Sequence, residues 1–406
     1  MKRTRFPHSF QTAKDLQSSI RAQLRLQMQM TALKIVKNLF DEEVMQLCGQ
    51  KFSHKNDQCH RGGSEHGSIL VEGQRIKIRR PRVRKNNKEV HLETYDSLQG
   101  FDILSDRIMN HMLHGVSTRN YEPLIDELHS GLKLKKSAVS KAFKMSSQQS
   151  LDKINTRDLS QDRFISLMID GIEFSDRTVI CVLGITEQGK KIVAGLREGD
   201  TENSEVCIDL LQCLIERGLT KDNSIIFVID GSKALRKSII KVFGADTPVQ
   251  RCIRHKERNI TSYISDKYHS EFYRRWKLLH GCTDYNEALK EHAGLSQWLG
   301  NINHEAANSL EESAMETLTL IKMKCPRLLR KSLMSTNPIE SAFSLVRSTT
   351  SRIKNWKSGK NQISRWVSAS LLEVEKRFRT IKGFKEIPLL MTELGKIKLE
   401  KECKVA

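Results

Sequence analysis

Two apolar runs in the middle of the chain end alike. Phe164-Ile-Ser-Leu-Met-Ile169 runs into Asp170-Gly171, and Ile225-Ile-Phe-Val-Ile229 runs into Asp230-Gly231. Short apolar runs bounded by turn residues predict buried strands. Thr178–Ile185 and, past Glu187-Gln188-Gly189, Lys191–Leu196 predict two more, making a three-stranded antiparallel meander with the first. A helix follows over Ser204–Gly218, with a Ser cap and a Gly stop. Then come the Asp230 strand, a helix over Lys233–Phe243, a strand over Val249–Ile253 and a further helix. This β-β-β-α-β-α-β-α order builds a mixed sheet whose first and fourth strands are adjacent and parallel, which would set Asp170 beside Asp230.

On either side the pattern turns helical. Leu33, Val36, Phe40, Val44 and Leu47 keep a near-3.6 spacing, read as a helical pair whose second piece is capped by Asp41. Ser68–Arg75 and Ile76–Val83 predict a hairpin turning at Glu72-Gly73-Gln74. Ile103–Leu113, a break at Gly115–Asn120, Tyr121–Leu128 and a basic helix over Leu132–Lys144 capped at Ser137 form a helix–turn–helix candidate. A plain helical spacer is the alternative there. Residues 266–335 read as helical, with Trp276 and Trp298 but no sharp motif. Another helix is expected over 337–352, capped by Asn337 or Ser335, with Pro338 at its start and Glu340 in its first turn. Beyond it basic and apolar residues alternate to about 380, and the tail from Lys382 is expected to be loosely held.

These segments divide the chain into a helical and basic-hairpin region (1–100), a helix–turn–helix-like region (101–150) and the first part of an α/β core (160–265). A helical insertion (266–335), the last part of the core (336–380) and a basic tail (381–406) complete it.

Charge narrows the choice of partner. The chain carries 68 Lys and Arg against 48 Asp and Glu, a net charge of +20. An excess of this size favours a polyanion. Aromatic residues make up only 6%, which argues against a stacking platform for single strands and favours duplex DNA held through its phosphates. From Arg75 to Lys88 there are eight basic residues and no acid. Arg75, Lys77 and Arg79 alternate with Ile76 and Ile78, so their charges share one face of a strand; Arg80, Arg82 and Arg84 continue the run. Lys133, Lys135, Lys136 and Lys141 give the candidate recognition helix its charge. No apolar run approaches the ~20 residues of a membrane span. No apolar segment follows the basic N-terminus, so no signal peptide is expected. Nine scattered cysteines without a CxxC pair read as reduced thiols of a cytoplasmic protein.

Paired carboxylates at strand ends repel one another unless cations lie between them, and Mg²⁺ suits a site of few oxygen ligands. The simplest chemistry is two-metal phosphoryl transfer on nucleic acid, which needs a third carboxylate. Glu340 is the choice, in a capped helix start before the basic residues Arg347, Arg352 and Lys354; Glu305, Glu311, Glu312 and Glu316 are rivals. Cys252 and His255, in Gln250-Arg-Cys-Ile-Arg-His-Lys-Glu-Arg-Asn259, have a spacing that could grip zinc, but no second ligand pair is visible. Packing of Cys252 at a strand end, with His255 bracing the site, is the other reading. Arg251, Arg254, Lys256 and Arg258 lie where they could hold a DNA strand. No GxSxG, GxxxxGK[ST] or HExxH motif is present.

Taken together, Ile169-Asp-Gly171, Leu183-Gly-Ile-Thr-Glu-Gln-Gly189, Ser204-Glu205, Glu216-Arg-Gly-Leu219, Ile229-Asp-Gly231, Gln250–Asn259 and Ser335-Thr-Asn-Pro-Ile-Glu-Ser341 resemble Mutator-type transposases of bacterial insertion sequences. The resemblance covers most of residues 60–350. It implies an α/β fold with a ribonuclease H-like mixed sheet interrupted by an all-α insertion and preceded by a DNA-binding region. It implies Asp170, Asp230 and Glu340 as a DDE catalytic triad holding Mg²⁺, with Mn²⁺ as a substitute, and Cys252 and His255 in support. The implied activity is DNA cleavage at terminal inverted repeats and strand transfer to target DNA, with no covalent enzyme–DNA intermediate. DNA contacts are expected from the hairpin, the basic helix, Arg254, Arg258 and Arg347, in a homodimer or larger assembly on the nucleoid. The alternatives are a catalytically silent DNA-binding descendant and a structure-specific nuclease.

Overall fold

The structure is a computed structural model that describes residues 13–51, 59–71, 74–86, 88–100, 109, 112–113, 136–199, 203–221, 225–351, 353, 355–356 and 361–395. It divides into two compact units. The first comprises Met1–Met112 and Val116–Phe143, the second Leu113–Gly115 and Lys144–Ala406.

In the first unit, α1 (Ala13–Cys48) is one helix rather than the expected pair. No Gly or Pro interrupts it, so Asp41 lies exposed in its interior and caps nothing. The hairpin forms as β1 (Cys59–Val71) and β2 (Gln74–Lys85), with Val71 opposite Gln74, and short β3 (Lys88–Val90) adds to its edge. Helix α2 (Glu93–Gly100) follows. Val36, Phe40 and Val44 of α1 pack with Ile69, Val83 and Leu92. Most of the helix–turn–helix candidate, including Gly115–Leu128, Lys133 and Lys135, lies outside the described residues. Its last helix, α3 (Lys136–Asn155), places Ser137 within a turn rather than at the cap and runs well past Lys144, again without Gly or Pro to stop it.

The second unit is built on a five-stranded mixed sheet. Its strands are β4 (Phe164–Phe174), β5 (Arg177–Thr186), β6 (Lys191–Gly199), β7 (Ile226–Ile229) and β8 (Val249–Arg251). Their order is β6-β5-β4-β7-β8. As the element order predicts, β4 and β7 are parallel neighbours, with Ile169 beside Ile229. Strand β4 does not stop at Asp170: it continues to Phe174, and Asp170 pairs with Cys181 of β5.

Both sheet faces are covered. Leu167, Ile169 and Phe227 pack on Leu210 and Leu214 of α4 (Ser204–Glu216) and Ile239 of α5 (Lys233–Phe243). Asn203, not Ser204, caps α4, accepting from Val206 N at 2.9 Å; Ser232 caps α5. On the other face, Met168 and Ile172 pack in one cluster with Phe343 and Val346 of α13 (Asn337–Thr350) and Val367 and Leu371 of α14 (Gln362–Glu375). Between β8 and α13 run α6 (Ile253–Thr261), α7 (His269–Gly281), α8 (Tyr285–Gly300), α9 (His304–Glu311), α10 (Ala314–Thr317), α11 (Thr319–Lys322) and α12 (Arg327–Leu333). Phe272, Trp276, Leu295 and Leu310 anchor a separate core there.

The chain after 380 is packed rather than loose as far as residue 395. Ile387, Leu390 and Leu394 are buried, and Glu386 accepts from Leu329 N at 3.1 Å. Their i, i+3, i+7 spacing gives the segment an apolar stripe. Arg157, ahead of β4, grips Glu375 of α14 through two bonds of 2.6 and 2.8 Å, and Glu375 also accepts from Val193 N of β6 at 2.9 Å. Glu375→Gln leaves this part-buried guanidinium without its counter-charge and is expected to cost about 3 kcal/mol. Urea unfolding checks it, and a change below about 0.5 kcal/mol would assign the pair a surface role.

Candidate active site

The alternation of β4 decides where its acid points. Asp170 shares a face with Met168 and Ile172, the face covered by α13, and is only 7% exposed. Asp230 follows the last residue of β7, one position beyond Ile229, which is paired with Ile169. Asp170 Oδ1 accepts from Gly171 N at 2.9 Å; Asp230 Oδ1 accepts from Gly231 N at 2.6 Å and Ser232 N at 2.9 Å. An added Cβ at Gly231 would lie 2.4 Å from Arg251 Nη2, so the Arg251 side chain would have to shift.

Glu340 reaches the site from the first turn of α13. The residue that positions it was not singled out in the sequence. Thr336, rather than Asn337 or Ser335, stands at the N-cap, and its hydroxyl donates to Glu340 Oε1 at 3.0 Å. The same hydroxyl lies 3.4 Å from His255 Nδ1 and 3.4 Å from Cys252 Sγ, while Thr336 N donates to that sulfur at 3.3 Å. Cys252 is fully buried at the start of α6, just past β8, and its N–H donates to Ile229 O at 2.7 Å. The Cys-x-x-His turn is thereby tied to the end of β7 on one side and to the approach to Glu340 on the other. An i, i+4 pairing of Thr336 with Glu340 is the one signal in the sequence that could have pointed to Thr336.

Electrostatics ties the three acids together. Burial pushes the Asp170 carboxyl up, the positive charge of His255 opposes this, and Asp230 and Glu340 add to the rise; it titrates at about 7. His255 is raised to about 9, first by its hydrogen bond with Cys252 and further by the charges of Cys252, Asp170 and Glu340, against the effect of burial. Burial pushes the Cys252 thiol up, but hydrogen bonds with His255 and Thr336 outweigh it and hold the thiol below its ordinary value. His255 Nε2 lies 3.7 Å from Glu340 Oε1, and Arg258 lies 3.6 Å from Oε2. A protonated imidazole thus stands among the carboxylates as a local counter-cation.

Glu340 is common to two candidate ligand sets, and among the described residues only the set with Cys252 and His255 has its ligand atoms drawn together. The carboxylate oxygens of Asp170, Asp230 and Glu340 are the hard donors that suit Mg²⁺. Crowding that raises Asp170, partly relieved by an imidazolium, is the electrostatic setting a divalent cation would fit. Cys252, His255 and Glu340 offer atoms within 4.8 Å of one another, a softer set that spacing alone left without a third member. The rival acids are engaged elsewhere: Glu312 faces Arg251 and Lys256, Glu316 pairs with Arg236 at 2.6 Å, and Glu311 lies 3.9 Å from His292. Glu305 sits at the start of α9.

The basic residues separate into two groups. Arg251 and Lys256 are buried, with Lys256 donating to Ser309 O at 2.7 Å, so neither offers the DNA grip expected of it. Arg254 is exposed but shared with Glu257, while Arg258 and Arg347 are exposed near the site and on α13. In the hairpin, Arg80 pairs with Glu65 and lies over the Tyr95 ring, and Arg82 pairs with Glu89 at 2.7 Å. Lys77 and Arg79 are exposed, Arg84 is half-buried, and Lys141 is exposed on α3. The side chains of Arg75 and Lys136, and all of Arg352 and Lys354, lie outside the description.

The sequence model described as Transposase, Mutator family matches residues 6–380. This chain belongs to the Mutator family of transposases. The family member is similar to the transposase for insertion sequence element IS1201 of Lactobacillus helveticus, 27% identical over 328 residues, which cover 77% of this chain and 85% of the relative. It is also 27% identical over 245 residues to the transposase for IS6120 of Mycolicibacterium smegmatis, covering 59% of this chain and 74% of that one. No described helix of this transposase-family chain is long and apolar enough to cross a membrane.

The titration of the site has a consequence for stability. Folded Asp170 holds its proton to about pH 7, against about 4 when unfolded. The metal-free protein therefore loses stability as pH rises from about 4 through 7. His255, raised in the folded state, contributes stability that is complete below about pH 6.5 and lost as pH rises through about 9. Both effects have the same sign. Asp170→Asn removes the first, so at pH 8 in EDTA its Tm is expected to exceed that of the wild type by several degrees, with the gap closing toward pH 4. Parallel Tm curves by circular dichroism would mean that Asp170 is solvated.

Proposed function

We propose that this protein is an insertion-sequence transposase that binds terminal inverted repeats and cuts and joins DNA strands by a DDE mechanism. The observation that supports the reading is that Asp170 lies on β4, whose parallel neighbour β7 leads into Asp230, and feels the charges of both Asp230 and Glu340. The strand order, with β5 antiparallel and β4, β7 and β8 parallel, supports a ribonuclease H-like core. The helices between β8 and α13 fit the expected insertion.

In this reading the three carboxylates hold two Mg²⁺ ions, which Mn²⁺ can replace. When bound, the ions supply activation of the attacking oxygen and stabilisation of the leaving oxygen in an in-line displacement at phosphorus. Asp170 and Asp230 keep fixed orientations because backbone N–H groups hold one oxygen of each. Thr336 fixes the Glu340 rotamer. His255 balances the carboxylates before the ions and DNA arrive, and Arg258 is placed to take the backbone of the strand being cut. Water first, and then the freed 3′-hydroxyl, serves as nucleophile, so no serine or tyrosine adduct is required. The hairpin holds DNA through exposed cations that include Lys77 and Arg79.

Asp170→Asn is expected to lower Mg²⁺-dependent cleavage of a labelled element end by at least about 1,000-fold while changing the Kd for that end less than about threefold. Cleavage that persists in this variant would remove Asp170 from the chemistry. Lys77→Ala with Arg79→Ala is expected to weaken binding across sequences and to reduce the slope of log K against log[salt] by about 2. An unchanged slope would place this hairpin face away from DNA.

A further inference from the structure

Cys252 and His255 lack further metal ligands in their own stretch of sequence, and the fold supplies one. Cys252 stands at the N-cap of α6 and His255 in its first turn, while Glu340 comes from the first turn of α13. The Cys252 sulfur, a ring nitrogen of His255 and a carboxylate oxygen of Glu340 all lie within 4.8 Å of one another. No other group of His, Cys, Asp and Glu ligand atoms is drawn together in this way among the described residues.

A fourth donor stands in the same cluster. The Thr336 hydroxyl oxygen is 3.4 Å from the sulfur, 3.4 Å from His255 Nδ1 and 3.0 Å from Glu340 Oε1. Its single proton serves only one of these neighbours at a time. In a tetrahedral zinc site, with Zn–S about 2.3 Å and Zn–N or Zn–O about 2.0–2.2 Å, neighbouring donors lie about 3.3–3.6 Å apart. The hydroxyl distances fall close to that spacing, and the three ligands close on an ion by moving together about an ångström. The sulfur is enclosed, but the side chains of His255 and Glu340 are 29% and 26% exposed, so an ion enters from their side and meets the sulfur last. Thiolate, imidazole and carboxylate form a set that suits Zn²⁺ and not Mg²⁺, which takes oxygen ligands. A thiolate and a carboxylate also cancel the charge of a dication.

We propose that Cys252, His255 and Glu340 form a Zn²⁺ site, with the Thr336 hydroxyl or a water as fourth neighbour, and that zinc bound there switches the protein off. The ion replaces the protons that now bridge these atoms, and those protons leave to solvent. Zinc held by sulfur and imidazole withdraws the Glu340 carboxylate from the Mg²⁺ set. Inhibition then comes from competition for one side chain, not for DNA. The inhibitory half of the proposal rests on the reading of Glu340 as a Mg²⁺ ligand for cleavage; the binding half does not.

The test uses the full-length, metal-free protein in a large excess of Mg²⁺, without DNA, and with Zn²⁺ and Co²⁺ as probes. One equivalent of Zn²⁺ is expected to bind, and X-ray absorption at the zinc edge is expected to show one sulfur at about 2.3 Å beside nitrogen and oxygen neighbours at about 2.0–2.2 Å. Co²⁺ is expected to give the intense near-ultraviolet band of a cobalt–thiolate bond, displaced by Zn²⁺ and missing in Cys252→Ser. Glu340→Gln is expected to keep that band while weakening Zn²⁺ binding at least about tenfold. If Cys252→Ser does not fold by circular dichroism, the zinc-edge spectrum and Glu340→Gln decide the matter. A shell of nitrogen and oxygen alone, uptake abolished by excess Mg²⁺, or a cobalt–thiolate band that survives in folded Cys252→Ser would overturn the proposal. Mg²⁺-dependent cleavage of an element end is then expected to fall at least about tenfold with one equivalent of Zn²⁺ and to return with a zinc chelator. Undiminished cleavage by the zinc-loaded protein would overturn the switch and leave the transposase reading standing. Zinc bound through sulfur in a protein that never cuts keeps the site and defeats the cleavage reading.

Discussion

Burial of Asp170 beside two other acids is the constraint on which the candidate site depends. The parallel register of β4 and β7 brings Asp170 level with Asp230, and α13 brings Glu340 over the same face. The side chain of Asp170 is almost wholly withdrawn from water. Ionising all three acids there is unfavourable without a nearby positive charge. The protein meets part of that cost with His255 and Arg258, both within 4 Å of Glu340.

Thr336 joins the parts that must stay aligned. Its backbone and hydroxyl engage Cys252, and its hydroxyl also engages Glu340 and approaches His255. The end of the sheet, the Cys-x-x-His turn and the helix carrying the third acid are therefore tied together. The many residues between Asp230 and Glu340 do not loosen this geometry. Ile253 N bonds to Met334 O at 3.0 Å, closing the helical insertion at its base. Gln250 secures it from within, donating to Thr317 O and accepting from Leu320 N.

Much of the core was legible in the sequence because its signals are local. Continuous apolar runs marked both faces of a buried sheet, and the element order gave the β4–β7 adjacency. Features that depend on distant partners were not legible. The third partner of Cys252 and His255 is 85 positions beyond His255, at Glu340. Arg251 and Lys256 carry charge in a basic cluster, but both are buried and face Glu312. Arg80 and Arg82 are likewise balanced by Glu65 and Glu89 across the hairpin. Helix α14 was hidden because its buried face includes Ser364, Ser368 and Ser370, which carry no hydrophobic signal. The break expected near Asp41 did not form, because no Gly or Pro interrupts the helix there.

Anomalous diffraction from crystals of the wild-type protein grown with Mn²⁺ tests the central claim most directly. The account predicts manganese peaks coordinated by carboxylate oxygens of Asp170, Asp230 and Glu340, with the Cys252 sulfur outside the coordination sphere. Absence of manganese from these three carboxylates at saturating Mn²⁺, or a metal held by Cys252 and His255 alone, would contradict it.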